Sequence, residues 1–341
     1  MTAEGSSGRT APTLEMVAER AGVSRATVSR VVNGSPRVSD DTVAAVTAAI
    51  EALHYTPNRA ARSLANRRSM AIALVIPEDT SRFFGDPYFA AVVQGITTVL
   101  DQTGYVLNLH LASSSGSFDK TVAYLLGGNA DAALVVSHHT GDHVLAELGA
   151  SIPVVFGGRP LDPDGTNSYF VDVDNVRAAS DGTRYLINQG RRRIGTIAGP
   201  DDMPAAIDRF TGWQTALQDA GLTPDAAVYG DFTLAGGMHA ARELLDAHPD
   251  LDAIFVASDL MAMGAITVLR ERGISVPEQV AVVGFDDSPA ALASEIPLTT
   301  VRQPSVEQGE RMARVILDLL NGVPTPRQHL MPTEVVVRAS A

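Results

Sequence analysis

The chain of 341 residues contains no cysteine, a single tryptophan and a single lysine, Lys120, and aromatic residues make up only 5% of it. Without cysteine there are no disulfides, thiol nucleophiles or thiolate metal ligands, a composition that suits the cytoplasm. No run of about 18 apolar residues occurs, so no membrane-spanning helix is predicted. The opening residues MTAEGSSGRTAP lack the apolar core of a signal peptide, and the expectation is a cytoplasmic protein without a membrane partner. No GxGxxG follows the first predicted strand, and neither a phosphate-binding P-loop nor a GxSxG elbow is present. No cofactor is therefore expected.

What is present is globular: hydrophobic residues make up 45%, with mixed charge, over a length that suits two or three folding units. The net charge of −13 argues, taken whole, against nucleic acid. Its distribution argues otherwise. Residues 1–69 carry nine arginines against six acidic residues, net +3, whereas the remainder has 17 basic against 33 acidic residues, net −16. Only the first part suits a phosphate backbone.

Residues 13–33, TLEMVAERAGVSRATVSRVVN, read as two short helices joined by a tight turn. Thr13 can cap the first, whose apolar face is Leu14, Val17, Ala18 and Ala21. Gly22 supplies the turn and Val23 can fill the angle between the helices. Ser24 caps a second helix with Thr27, Val28, Val31 and Val32 facing inward. Its outer face, Arg25, Ala26, Ser29, Arg30 and Asn33, could lie in a major groove, where Arg reads guanine and Asn or Ser serves bases and phosphates. The same pattern also describes an ordinary helical hairpin with a solvated face. Ser39 caps a third helix, 40–53, ended by Tyr55-Thr56-Pro57. The short basic segment 58–68 follows, with Leu64 its one large apolar residue. It could fold against a partner and wedge Leu64 between minor-groove base steps while Arg62 meets phosphates.

These stretches, TLEMVAERAGVSRATVSRVVNGSPRVS and YTPNRAARSLA, resemble the headpiece and hinge helix of the lactose-repressor (LacI/GalR) family of bacterial transcription regulators. The likeness extends to the C-terminus. It implies a DNA-binding role for Thr13, Ser24, Arg25, Ala26, Thr27, Ser29, Arg30, Asn33 and Arg37 in the head. It implies the same for Tyr55, Asn58, Arg62 and Leu64 around the hinge. Many relatives carry Lys after the hinge leucine, where this chain has Ala65.

From Met70 short apolar runs alternate with amphipathic stretches. Runs at 71–77, 106–112, 132–137 and 153–156 read as buried strands, separated by helical patterns at 88–102, 118–126 and 142–148. A second set has strands at 169–173, 194–198, 226–230, 253–257 and 280–285, with helices at 175–188, 205–220, 235–247 and 259–272. The tail adds a strand at 299–301, a helix at 306–320 and a strand at 334–338. Two such α/β units facing each other form a cleft, with ligand groups at the carboxyl ends of strands. The resemblance implies the same core. The expected architecture is an all-α helix-turn-helix headpiece with a hinge helix, then an α/β periplasmic-binding-protein-like core of two parallel-sheet subdomains. The divisions are a disordered arm 1–12, headpiece 13–57, hinge 58–69 and core 70–341. Within the core the N-subdomain takes 70–173 and 305–328, the C-subdomain 174–304 and 329–341.

Asp286-Asp287 follow a predicted strand; adjacent strand-end residues point different ways, so one faces the cleft. A carboxylate there could cap its loop, or accept the two hydroxyl hydrogen bonds a sugar offers. The resemblance implies effector contacts at Asp286, at Arg209, at Phe232 lying over the ligand and at Ser258, whose other role is to cap a helix. It adds Tyr88 and Phe89 as cleft aromatics, and Ser137, Arg159 and Gln303 as further cleft positions. Gly158 stands where some sugar-binding relatives have Asp. Trp213 is assigned to the core.

His138, His139 and His143 cluster, with the last two spaced as metal ligands are, but no carboxylate or thiolate companion is readable and no metal is expected. The expected function is repression of sugar-utilisation genes. A homodimer on palindromic operator DNA would be released by a mono- or oligosaccharide such as cellobiose or a related glucoside. The C-terminus lacks a leucine-rich extension, which favours a dimer. A transporter's sugar-binding protein would share the core but not the basic head. An α/β hydrolase using Asp286 would need a nucleophile–base pair that the sequence does not show.

Overall fold

The computed structural model describes residues 12–32, 37–55, 68–113, 115–140, 144–160, 168–293 and 295–341. It divides into two compact units between Ser69 and Met70. Asn33, Asn58, Arg62, Leu64 and His143 lie outside the described residues, as do the arm through residue 11 and most of the hinge segment.

The head packs three helices, α1 (Leu14–Ala21), α2 (Arg25–Val32) and α3 (Asp40–Leu53), around Val17, Ala18, Val28, Val46, Ala49 and Tyr55. The Thr13 hydroxyl accepts the Met16 N–H at 3.4 Å, starting α1. Gly22 ends it in the left-handed conformation, φ 66°, which a glycine adopts without steric cost. Val23, folded back by a hydrogen bond to the Ala18 carbonyl, packs against the core between the helices. Ser24 then caps α2 through the Thr27 N–H at 3.1 Å.

The second unit consists of two lobes, each built on a six-stranded sheet. In the first lobe the strands are β1 (Ala71–Ile76), β2 (Val106–Leu111), β3 (Ala132–Val136), β4 (Val154–Gly157), β5 (Tyr169–Val173) and β11 (Gln328–Met331), in spatial order β11-β5-β4-β3-β1-β2. The second lobe holds β6 (Ile194–Ala198), β7 (Ala227–Tyr229), β8 (Ala253–Val256), β9 (Ala281–Asp286), β10 (Thr299–Arg302) and β12 (Glu334–Val336), in order β12-β10-β9-β8-β6-β7. Strands such as AIALVI in β1 and IGTIA in β6 are buried throughout, as parallel strands covered by helices on both faces must be. One pairing departs from the all-parallel expectation: β12 runs antiparallel to β10. Among the described residues no helix is long and apolar enough to cross a membrane.

The chain crosses between lobes three times, after β5, after β10 and after β11. The last crossing follows β11, within a few residues of the expected subdomain boundary at about 328. Gln328–Met331 form a parallel edge strand on β5, so the first lobe keeps the chain to Met331. That strand alternates exposed with half-buried residues and lacks the apolar run by which a buried strand is recognised. Two short helices also escaped the apolar pattern, Thr80–Gly85 and Pro289–Ala293.

The helix Pro87–Leu100 and the late helix Ser305–Leu320 cross at Gly95 and Gly309. A Cβ on Gly95 would stand 1.9 Å from the Val306 carbonyl oxygen, and one on Gly309 2.2 Å from that of Val92. The backbones touch because neither residue has a side chain. This contact seats the start of each helix, with Tyr88 on one and Gln308 on the other, at the same end of the first lobe.

Candidate functional site

Between the two lobes lies a cavity of about 640 Å³ including its mouth. It opens at the carboxyl ends of the strands: Ser137 follows β3, Gly157 ends β4, Asp172 is in β5, Ser258 follows β8, Asp286 ends β9 and Gln303 follows β10. This is the position at which open α/β sheets bind ligands, because the strand ends stop short and leave backbone and loop groups facing one space.

Arg209 organises the second-lobe wall. It sits on the helix Pro204–Asp219, is 5% exposed and has most of its donors engaged. Its Nε donates to Asn175 Oδ1 at 2.9 Å, Nη1 to the Ala257 carbonyl at 2.7 Å and to Asp286 Oδ1 at 3.4 Å, and Nη2 to Gln303 Oε1 at 3.3 Å. The guanidinium lies 3.6 Å from the centre of the Phe285 ring. Gln303 donates a second bond to Asp286 Oδ1 at 2.8 Å. Burial raises the Asp286 carboxyl well above its ordinary value, against the pull of the Arg209 charge. Its neighbour Asp287 turns away to Arg302 and Arg338, as alternation at a strand end requires.

The first-lobe wall carries Asp172, which accepts the Arg159 N–H at 2.7 Å and the Asn175 amide at 3.0 Å, and burial pushes its carboxyl up to about 6. Tyr88 donates its hydroxyl to Gln308 at 3.3 Å, and Gln308 in turn holds the Val171 carbonyl at 2.9 Å. Ser137, Phe232 and Asp286 all have positive φ, 64°, 63° and 116°. Such non-glycine strain concentrates where surrounding contacts impose a functional geometry.

Among the described residues three side-chain links cross the cleft beside the cavity, and the Thr140 N–H donates to the Asp202 carbonyl at 2.9 Å. Arg159 forms a two-pronged pair with Asp208, at 3.0 and 2.8 Å. His139 lies between Glu78 at 3.4 Å and Asp202 of the other lobe at 2.9 Å. The bond to Glu78 leads in raising its imidazole to about 9. Arg82 donates to the Asp231 carbonyl at 2.8 Å.

Of the predicted effector residues, Tyr88, Ser137, Arg209, Phe232, Ser258, Asp286 and Gln303 line the cavity together. Ser258 also caps its helix, through the Met261 N–H at 3.3 Å. Phe89 and Arg159 do not line the cavity. Successive helix residues point about 100° apart, so with Tyr88 facing the cavity Phe89 turns into the first-lobe core and is 1% exposed. Arg159 is drawn aside by Asp208 and serves as a link between lobes. Trp213 is fully buried beside Phe210. Sequence reasoning missed Arg82, Asp86, His138, Asp172 and Gln308, which the tertiary structure gathers from four separate segments. Only Asp86, beside Pro87-Tyr88, had a readable signal.

In the head, Arg25, Ala26 and Arg30 are exposed on α2 and Ser29 is half-buried beside them, while Thr13 and Ser24 act as helix caps. Thr27 is half-buried, its hydroxyl 2.9 Å from that of Ser24, and Arg37 is exposed before α3. Arg25 forms a solvent-exposed pair with Glu15 at 3.2 Å. Tyr55 is 7% exposed and packs into the head's core.

Residues 13–58 match the model for bacterial regulatory proteins of the lacI family, and residues 183–341 that for a periplasmic binding protein-like domain. The HTH-type transcriptional regulator CelR of Thermobifida fusca is 45% identical over 336 residues, covering 97% of this chain and 99% of that protein. The structure of a transcriptional regulator CelR–cellobiose complex is similar with a TM-score of 0.77 at 43% identity, covering 97% and 100% of the two chains. The lac repressor dimer bound to operator and the anti-inducer ONPF gives 0.86 at 28% identity, covering 97% and 99%. Head, two-lobed core and near full-length likeness agree: the chain belongs to the lacI family of bacterial regulatory proteins.

Proposed function

We propose that this regulator is a repressor of sugar-utilisation genes, working as a homodimer in the cytoplasm and released from a palindromic operator by a neutral sugar. The headpiece 13–57 would read DNA, residues 58–69 would join it to the core, and the core 70–341 would bind effector and pair with its copy. No catalytic role is assigned to any residue. The observation that carries the reading is the cavity itself, walled by carboxylates, guanidinium and amide groups from both lobes. A sugar hydroxyl both donates and accepts, so it can satisfy Asp286 and an Arg or Gln donor at once. A ligand held by both lobes shifts their relative arrangement, and that shift is what the linker can pass to DNA binding. Cellobiose is the first candidate because the similar CelR structure is a complex with it.

Titrating cellobiose, maltose and glucose into the protein on operator DNA tests this, with release followed by fluorescence anisotropy. Release at micromolar to millimolar sugar is the expected result; retention with every sugar removes the effector role.

In the head, Arg25 would reach a guanine in the major groove and Ala26 a thymine methyl, with Tyr55 supporting the fold. Leu64 and Arg62 would serve the minor groove and phosphate, and Asn33, Arg37 and Asn58 would add backbone contacts. The Glu15 pair holding Arg25 is exposed and worth little, so DNA can displace it. Arg25→Ala should cost about 1–3 kcal/mol on the best operator and far less on other DNA. Binding to an operator library at two salt concentrations checks this, since a phosphate contact would weaken all sequences alike.

A further inference from the structure

Two arginines line the cavity, and they differ in how far the protein satisfies them. Arg209 donates to four partners, all in its own lobe, and has four of its five N–H donors engaged. Arg82, in the short helix Thr80–Gly85, has a side chain only 11% exposed, yet the structure gives its guanidinium one hydrogen bond among the described residues, to the Asp231 carbonyl. Its Nε is buried and has no partner there. Glu78 and Asp86 lie at 3.8 and 3.9 Å, close enough for charge attraction but too far for hydrogen bonds. A buried cation with unsatisfied donors is costly and favours any ligand that completes it.

The position of this arginine is set by its segment. Asp79 caps the short helix by accepting the Arg82 N–H at 2.8 Å, and the Arg82 carbonyl accepts the Asp86 N–H at 3.1 Å. Asp86 in turn caps the next helix through the Tyr88 N–H at 3.0 Å. Arg82 and Asp86 therefore sit one helical turn apart on a segment held at both ends. From there the guanidinium extends over the Phe232 ring of the other lobe, 5.0 Å from its centre.

We propose that Arg82 is a further effector-binding residue, one that with Asp86 grips a single hydroxyl of an uncharged, polyhydroxylated ligand while holding the opposite lobe. The inference rests on the effector role of the cavity. The Nη2 to Oδ2 separation of 3.9 Å has the width that one oxygen can bridge, about 2.8 Å from each. A hydroxyl there accepts from Arg82 and donates to Asp86, which neither a carboxylate nor a phosphate oxygen does. An anionic ligand would also meet three carboxylates, Asp86, Asp172 and Asp286, with most Arg209 donors already engaged. Because the same guanidinium is bonded to Asp231 and lies on Phe232, the hydroxyl becomes part of the contact between lobes.

The test is calorimetric titration of cellobiose, maltose, glucose and glucose 6-phosphate into the full chain and its R82A, R82K, D86N, R82A/D86N and D286A variants. Melting temperatures show which variants fold, and R82K and D86N, which keep shape, stand in if R82A does not. The neutral sugar that binds the parent protein should bind R82A and D86N at least tenfold more weakly, R82K to an intermediate degree, and the double variant little worse than either single one. Losses that multiply in the double variant would show two unrelated contacts and overturn the shared hydroxyl. Parent-like affinity in R82A and D86N alongside loss in D286A overturns the Arg82 assignment and leaves the cavity as the effector site. Parent-like affinity in all three, or no sugar bound by the parent protein, overturns both. Tighter binding of glucose 6-phosphate than of every neutral sugar overturns the uncharged class.

Discussion

The two walls of the cavity are built on different terms. The second-lobe wall is closed on itself: Arg209 joins Asn175, Ala257, Asp286 and Gln303, and each partner is anchored within reach of the strand ends. The first-lobe wall reaches outward. Arg82, His139 and Arg159 all have partners on the other lobe, at Asp231, Asp202 and Asp208. A wall satisfied internally keeps its shape whether or not the lobes move. A wall whose contacts cross the gap responds to closure, and a ligand between them reports on it.

The sharpest way to break this contrast is to remove the centre of the rigid wall. Arg209→Ala leaves the Ala257 carbonyl and the side chains of Asn175, Asp286 and Gln303 without its donors, and a buried group left unsatisfied costs about 1–3 kcal/mol. Urea unfolding should show that loss, and calorimetry should show no sugar binding. A core as stable as the parent would mean the second-lobe network is ornamental and the contrast is false.

Arg159→Ala acts on the outward wall instead. Its pair with Asp208 is two-pronged but partly exposed, so the expected loss is about 1 kcal/mol. The fold should be nearly unaffected, while sugar affinity falls about fivefold because the closed arrangement has lost a link. Unfolding and titration measured on the same preparation separate the two effects. A loss of stability as large as that of Arg209→Ala would erase the distinction between the walls.

The smallest effect is a pH dependence. His139 has its proton affinity raised from the ordinary imidazole value to about 9, by its bonds to Glu78 and Asp202. A raised value in the folded state means that the contribution is fully present below about 6.5 and is lost as pH rises through about 9. The melting temperature of the parent protein should therefore fall between pH 7 and pH 10 more than that of His139→Gln. Parallel curves for the two proteins would remove His139 from the links between lobes.

Much of the architecture was legible beforehand, for reasons particular residues make plain. Buried parallel strands must be apolar on both faces, and AIALVI and AALVV could be little else. The head was legible because Thr13, Gly22 and Ser24 carry their local conformations in their own side chains or lack of one. The strand Gln328–Met331 was not, since an edge strand is half-exposed and is recruited by β5 rather than by its own pattern.

The site divides in the same way. Sequence by itself determined the local setting of residues that a strand end or a helix start presents regardless of partner, Asp286 at the end of β9, Ser258 as a cap and Tyr88 after Pro87, while the resemblance implied their place in the cleft. Only the tertiary structure decided which neighbours look inward. Phe89 lies one helical step from Tyr88 and goes to the core, and Arg159 lies within reach of Asp208 and is pulled from the cavity. Arg82 and Asp172 carry no local signal at all. They enter the site because two lobes, joined by three crossings, bring their strand ends to the same gap, and contacts between residues 149 positions apart, as in Arg82 and Asp231, belong to no segment's own pattern.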